Sequence, residues 1–427
     1  MSIQFILLML IYIAAIIMIA TRKLPTIIVL PLMAVFMCLV SGVPIIGGEF
    51  SIVVNVLSAG VMRLSSAMTG VIFGAFFGRV LTKTGVTATI IRKAAEMAGD
   101  KPLPIALTLL AAGSFVFAGA NGLGMVILVG SIILPIMMSV GIKPITAGLV
   151  LLCANAIGSV FTIGPLAIYT SILGVTTQEL VSWSWVPAIP FIIICVILIV
   201  WTLRKDKEPV KAWAMPSDSM EGDQKEKNVP LVALITPIVP ILLVMIAKLD
   251  IVPSILIGIL VTLLLTWTKK PAQVVASGIV EGIQDAAGPL ALMIGIGMLM
   301  MTVMAGPVKD VLEPVVGNLI PQNPFVYIVV FTALACLLTV YRGPMNFSGL
   351  GSGLIALFFA CGMNPITTMV SFRIAANVQC LCDPTNTHHV WTADFVKTEV
   401  NRYFIGTIAW VSVSVLLSYI LAAFALF

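Results

Sequence analysis

Gly141-Ile-Lys-Pro-Ile-Thr146 returns 221 residues later as Gly362-Met-Asn-Pro-Ile-Thr367. Each copy sets a glycine at the end of one apolar run and a proline at the start of the next, a helix stop followed by a helix start. At the same offset Gly74 falls on Gly295, Gly85 on Gly306 and Gly122 on Gly343, with no gap between them. One such match between apolar segments is within chance. An ordered set of them reads as an internal repeat.

What is repeated is membrane-spanning. Of 427 residues, 60% are hydrophobic and 10% charged, and the mean hydropathy is +1.15. Soluble domains carry about 45–50% apolar and about 25% charged residues, so this excess exceeds what one water-soluble core can bury. Apolar runs set against turn signals predict helices near 3–20, 25–43, 66–82, 103–118, 125–140, 144–174 (interrupted), 185–202, 229–247, 252–268, 288–306, 325–340, 351–361, 365–393 (interrupted) and 403–426. The stretch 83–101 reads as an amphipathic connector. Met1–Gln4 lacks a basic n-region and no small-residue cleavage pattern precedes Arg22 and Lys23, so the first segment reads as a retained helix. Seven scattered cysteines describe no disulfide framework. The net charge of +5 belongs to topology and implies no nucleic-acid partner.

Arg204–Asn228, rich in charge of both signs, reads as a polar linker. It divides the chain into a first membrane repeat (1–203), a cytoplasmic linker (204–228) and a second membrane repeat (229–427). The connector 83–101 carries Lys83, Arg92, Lys93 and Lys101, whereas its counterpart Met304–Gln322 carries only Lys309. Equivalent loops of opposite basic content face opposite sides of a membrane, so the repeat is inverted. Each half also has a Gly-rich break, Ala118–Gly124 and Tyr341–Gly351, which reads as the tip of a re-entrant hairpin. With the N- and C-termini outside, every Lys and Arg falls in an inside loop except six. Arg63, Lys248 and Lys309 lie outside, and Arg79, Arg342 and Arg373 lie at helix ends or within the membrane. The expected fold is an all-α polytopic membrane protein of two inverted-topology repeats, each with a re-entrant hairpin and an interrupted transmembrane helix.

Non-helical backbone survives in hydrocarbon only where protein or a wet cavity surrounds it. Besides the two tips, Asn155–Pro165 and Asn377–His389 break the helical pattern, and they are equivalent under the repeat. Half-helix ends meeting there aim positive dipoles at an anion, while freed carbonyls can hold a cation. Arg342 at the second tip fits a substrate carboxylate, or else a structural pair with Asp383. Asp383 suits Na+ or a coupling proton, or else a salt bridge to Arg373 or Arg342. Thr385, Asn386 and Thr387 add oxygen donors of the kind hard cations take, and Pro384 disfavours helix at Asp383. Asn155 and Asn377 stand on the approach to each break, with packing hydrogen bonds as the plainer role. Cys380, Cys382, His388 and His389 fit no zinc spacing, and the histidines read as solvated near the inner end of their span. Glu281 and Asp285 read as a solvated face ahead of the 288–306 helix. Gly70, Gly74 and Gly78 read as close helix packing. No nucleotide motif or Ser/His/Asp arrangement occurs, so neither an enzyme nor an ATP-driven pump is expected.

This pattern resembles the ion transporter superfamily, which includes citrate, gluconate and dicarboxylate carriers. The resemblance runs from about Pro25 to Tyr403, on Gly99-Asp-Lys-Pro-Leu-Pro104, Leu134–Pro144 and the break near Asn386–His389. It implies a substrate between two tips and two unwound helices, coupled Na+ or H+ with no other cofactor, and a homodimer in the cytoplasmic membrane. By position it assigns substrate contacts to Asn121, Asn155, Ser159, Asn346, Ser348, Asn377 and Thr385, to which the reading of the two tips adds Gly122, Arg342 and Gly343. Thr162, Asp383, Asn386 and Thr387 are assigned to the coupling ion. Neither tip has the Ser-Asn-Thr triplet of the dicarboxylate carriers. The function expected is secondary transport of a small organic anion, the alternative being Na+/H+ antiport on the same scaffold.

Overall fold

Proline starts the helices where the sequence places it. Pro102, Pro144, Pro271, Pro324 and Pro365 each occupy the first turn of a helix, where the missing N–H costs nothing. Gly141 and Gly362 take φ of +87° and +92° in the two copies of the quoted hexapeptide, a left-handed turn that favours glycine. The structure is a computed structural model describing residues 3–21, 23–206, 229–340, 343–346 and 350–427.

The first half contains α1 (Ile3–Ala20), α2 (Thr26–Val40), α3 (Ala59–Arg63), α4 (Ser65–Lys83), α5 (Val86–Ala98), α6 (Pro102–Gly119), α7 (Leu123–Ser139), α8 (Pro144–Ser159), α9 (Ile163–Leu173), α10 (Thr177–Ser182) and α11 (Trp185–Lys205). The second contains α12 (Val239–Ala247), α13 (Ile251–Leu265), α14 (Pro271–Met304), α15 (Gly306–Val316), α16 (Pro324–Leu338), α17 (Gly351–Ala360), α18 (Pro365–Cys382), α19 (Thr387–Phe395) and α20 (Val400–Leu426). No strand occurs among the described residues. Among the described residues, five helical stretches are long and apolar enough to cross a bilayer: Ile52–Lys83, Pro102–Gly119, Thr177–Lys205, Pro271–Met304 and Val400–Leu426. The chain is an all-α polytopic membrane protein with interrupted helices.

The interruptions fall in pairs. Residues 160–162 separate α8 from α9, and residues 383–386 separate α18 from α19. At 1.5 Å per residue, α9 and α19 reach only about half of a ~30 Å hydrocarbon core. The α6–α7 hairpin turns at 120–122, and the α16–α17 hairpin turns across a segment of which 343–346 are described.

Two close contacts show how the halves are related. A Cβ on Gly60 would lie 2.7 Å from Met298 Cα, and one on Gly282 would lie 2.7 Å from Phe76 Cα. As the chain advances from 60 to 76, its partner retreats from 298 to 282. The stretch through α3 and α4 is therefore antiparallel to α14, its own repeat equivalent, and the halves point in opposite directions. α8 repeats the relation against α18 and α19: Asn155 meets His388 on α19 while Ser159 meets Cys380 near the end of α18.

Three expectations are corrected. Residues 52–63 are helical, as a π-helical stretch (Ile52–Ser58) leading into α3. α14 begins at Pro271 rather than near 288. Glu281 and Asp285 consequently lie inside that helix and pair with α4: Arg79 makes two 2.6 Å bonds to Asp285, and Lys83 Nζ lies 2.5 Å from Glu281. The face is still about a third exposed, as the sequence suggests, but its charge is paired across the helix crossing as well as solvated. Most of the 204–228 linker lies outside the described residues.

Candidate functional site between the two helix breaks

Pro384 keeps Asp383 out of the helical region, and the carboxylate that α18 carries to its end is 2% exposed. A buried carboxylate must be met by donors. Asp383 Oδ1 accepts from Thr385 N at 3.0 Å and from Thr385 Oγ1 at 2.7 Å. Its Oδ2 accepts from Asn346 Nδ2 at 3.1 Å. Asn346 belongs to the second hairpin tip and also donates to Thr339 O at 3.2 Å. Asn386 Oδ1 accepts from His388 N at 3.1 Å and caps α19. The second break is thus an acidic loop bound to a hairpin tip.

The first break contains no charged residue. Thr162 Oγ1 donates to Phe117 O on α6 at 2.8 Å, with Gly158 O at 3.3 Å. Val160 O, at the end of α8, accepts from Arg373 Nη2 at 2.5 Å, and Arg373 Nη1 donates to Leu180 O at 2.7 Å. A cation is well placed on the carbonyl end of a helix. Arg373 is 4% exposed and comes from α18, ten residues ahead of Asp383. Its partners are carbonyls of the other half, which removes it as the counter-charge of Asp383.

The two breaks are joined by cross-repeat contacts. Asn155 Nδ2 lies 3.1 Å from His388 Nδ1, and Ser159 Oγ lies 3.4 Å from Cys380 Sγ. Ser159 and Cys380 are equivalents 221 apart, so their contact sits on the pseudo-twofold axis. Asn155 Oδ1 and His389 Nδ1 are buried and without a hydrogen-bond partner among the described residues. His389 Nε2 lies 3.0 Å from Leu381 O. Buried polar atoms left open in this way mark a place where water or a ligand group completes the set.

Of the residues expected at the site, the structure brings Asn155, Ser159, Asn346, Asp383, Thr385 and Asn386 into one connected region. Asn121 and Gly122 form the first tip, where Asn121 Oδ1 accepts from Gly122 N at 2.6 Å. Gly343 opens the described part of the second tip and donates its N–H to Val340 O at 3.0 Å. Asn377 turns away, donating to Pro187 O on α11 at 3.1 Å. Thr162 spends its hydroxyl on carbonyls of the first break, and Thr387 is exposed on α19. Arg342 and Ser348 lie outside the described residues. His388, Cys380 and Arg373 are the additions. His388 and His389 are drawn into the protein rather than solvated, because the break at 383–386 folds the start of α19 against α8. A lone cation in the apolar run 365–382 was the available signal for Arg373.

No family model and no curated protein matches this chain. Solved structures do. The Alcanivorax borkumensis YdaH transporter superposes with a TM-score of 0.63 at 13% identity, over 92% of this chain and 97% of that one. Neisseria gonorrhoeae MtrF, described with a class of antimetabolite efflux pumps, also superposes at 0.63, with 10% identity over 93% of each chain. These are a transporter and an efflux pump rather than citrate, gluconate or dicarboxylate carriers, so the resemblance read from the sequence narrows to a likeness of fold. The chain has the fold of a transporter along nearly its whole length.

Proposed function

We propose that this chain is a secondary active carrier of a small organic anion across the cytoplasmic membrane, coupled to Na+ or H+. The observation that carries the reading is the Asn346–Asp383 bond taken with the Asn155–His388 contact. Through them one break touches a hairpin tip of its own half and a helix of the opposite half, so a ligand there would meet both repeats. The shared fold with a transporter and an efflux pump supports it. In this reading Arg342 takes a substrate carboxylate, and Asp383 with Thr385 serves the coupling ion. The termini lie outside and the 204–228 linker inside, and the carrier works as a homodimer.

The test is a proteoliposome panel of labelled mono-, di- and tricarboxylates, run for uptake and for efflux from preloaded vesicles, with and without Na+ and proton gradients. Gradient-dependent movement of at least one acid is expected; none in either direction rejects the reading. The buried Asp383 keeps a second reading in view, Na+/H+ antiport without an organic substrate. Arg342→Gln separates the two: antiport survives it, whereas anion transport loses substrate affinity.

A further inference from the structure

Outside the region of the breaks, the most heavily charged contact between the halves among the described residues is the crossing of α4 and α14. Arg79 holds Asp285 with two parallel bonds of 2.6 Å, Glu281 stands 3.4 Å from Arg79, and Lys83 closes the group on Glu281. Two cations come from the first half and two carboxylates from the second. Asp285 and Arg79 are about 30% exposed, so water reaches the pair.

The first hairpin tip sits on this group. A Cβ on Gly124 would lie 3.1 Å from Arg79 Nη2 and 3.4 Å and 3.5 Å from the carboxylate oxygens of Asp285. One residue earlier on α4, a Cβ on Gly78 would lie 2.8 Å from Ala120 Cβ. The segment 120–124 is therefore laid along α4 with no side chain between its backbone and the ion pair. At the equivalent crossing of the other half, the described residues show no such ion pair. At the 221 offset, Arg79 becomes Met300, Asp285 becomes Leu64 and Gly124 becomes Met345. There the hairpin packs Gly353 against Leu299.

We propose that the Arg79–Asp285 pair is a latch that holds the tip of the α6–α7 hairpin against the crossing of α4 and α14. A partly exposed bidentate pair is strong enough to fix the tip and wet enough to be rearranged, weakening as salt rises. The Gly353–Leu299 contact on the second hairpin is apolar and has no such dependence. The inference stands whatever the chain transports, since it concerns what holds one tip in place.

The experiment uses the full chain in proteoliposomes with a reporter, Leu123→Cys, at an exposed tip position. A membrane-impermeant maleimide is the probe, and the chain without the reporter is the blank. Arg79→Gln and Asp285→Asn should each raise the labelling rate roughly tenfold, the scale of a lost charge-assisted bond pair. Gly124→Ala should raise it with the pair intact, and Arg79→Asp with Asp285→Arg should bring it back down. Salt near ~1 M should raise the rate in the parent reporter only. Ser139→Cys, exposed at the far end of α7, is the control and should not change. Labelling at Leu123→Cys that is indifferent to both charge variants overturns the proposal. So does a rise shared equally by the Ser139→Cys control, which would mean general loosening.

Discussion

The two helix breaks occupy equivalent places in the repeat, yet they are closed by opposite means. The break at 160–162 is filled from outside: a threonine hydroxyl finds Phe117 O, and an arginine from the other repeat takes the free end of α8. The break at 383–386 supplies its own charge and holds a hairpin tip with it. Duplication gave two equivalent openings in the helical pattern. One has become a brace and the other has kept a carboxylate held by side chains. A charged side chain tied to backbone carbonyls has little left to offer a ligand, whereas a carboxylate that bonds another side chain can exchange that partner.

Asp383→Ala should expose the difference most strongly. It leaves Asn346, Thr385 N and Thr385 Oγ1 without their shared acceptor, a loss of about 3–5 kcal/mol for one member of a buried charged set. Gradient-driven transport should vanish in vesicles, and the thermal unfolding temperature should fall. Asp383→Asn, which keeps the shape, should lose transport with a smaller change in unfolding temperature. If Asp383→Asn transports normally, the second break is a brace like the first. Arg373→Leu comes next: two carbonyl bonds to a buried cation should cost about 3 kcal/mol, read as a lower unfolding temperature in detergent. Arg373→Lys, which reaches one carbonyl but not both, should fall between the two.

Asn155→Leu removes the contact with His388 across the axis. A loss of about 1 kcal/mol should raise KM several-fold with little change in kcat, because the pair borders the proposed chamber. Thr162→Val should do least, about 1 kcal/mol or below in stability and no change in KM. A large transport defect in Thr162→Val would put the first break back among the binding elements.

The repeat made much of this fold legible. Paired glycines and prolines set the ends of α7, α8, α17 and α18, and Pro384 beside Asp383 announced the second interruption. Charge and turn-forming residues hid other helices. Glu281 and Asp285 read as the edge of a span because their partners, Arg79 and Lys83, stand about two hundred positions away. Residues 52–63 contain Asn55, Ser58 and Gly60, which look like a loop. Gly60 is instead what lets two helices touch, since a side chain there would strike Met298. At the candidate site, side-chain type pointed to Asp383, Asn346 and Asn155. Direction could not be read that way: Asn377 faces α11, and Arg373 reaches a carbonyl that no local pattern indicates.

The contact of Ser159 with Cys380 bears on counting. A duplicated chain usually inherits its features twice, but a point on the axis relating the copies is common to both. If cargo is held where these residues meet, titration of purified protein should saturate at one equivalent per polypeptide, and a homodimer should load two. Two equivalents per polypeptide would place the cargo away from the axis.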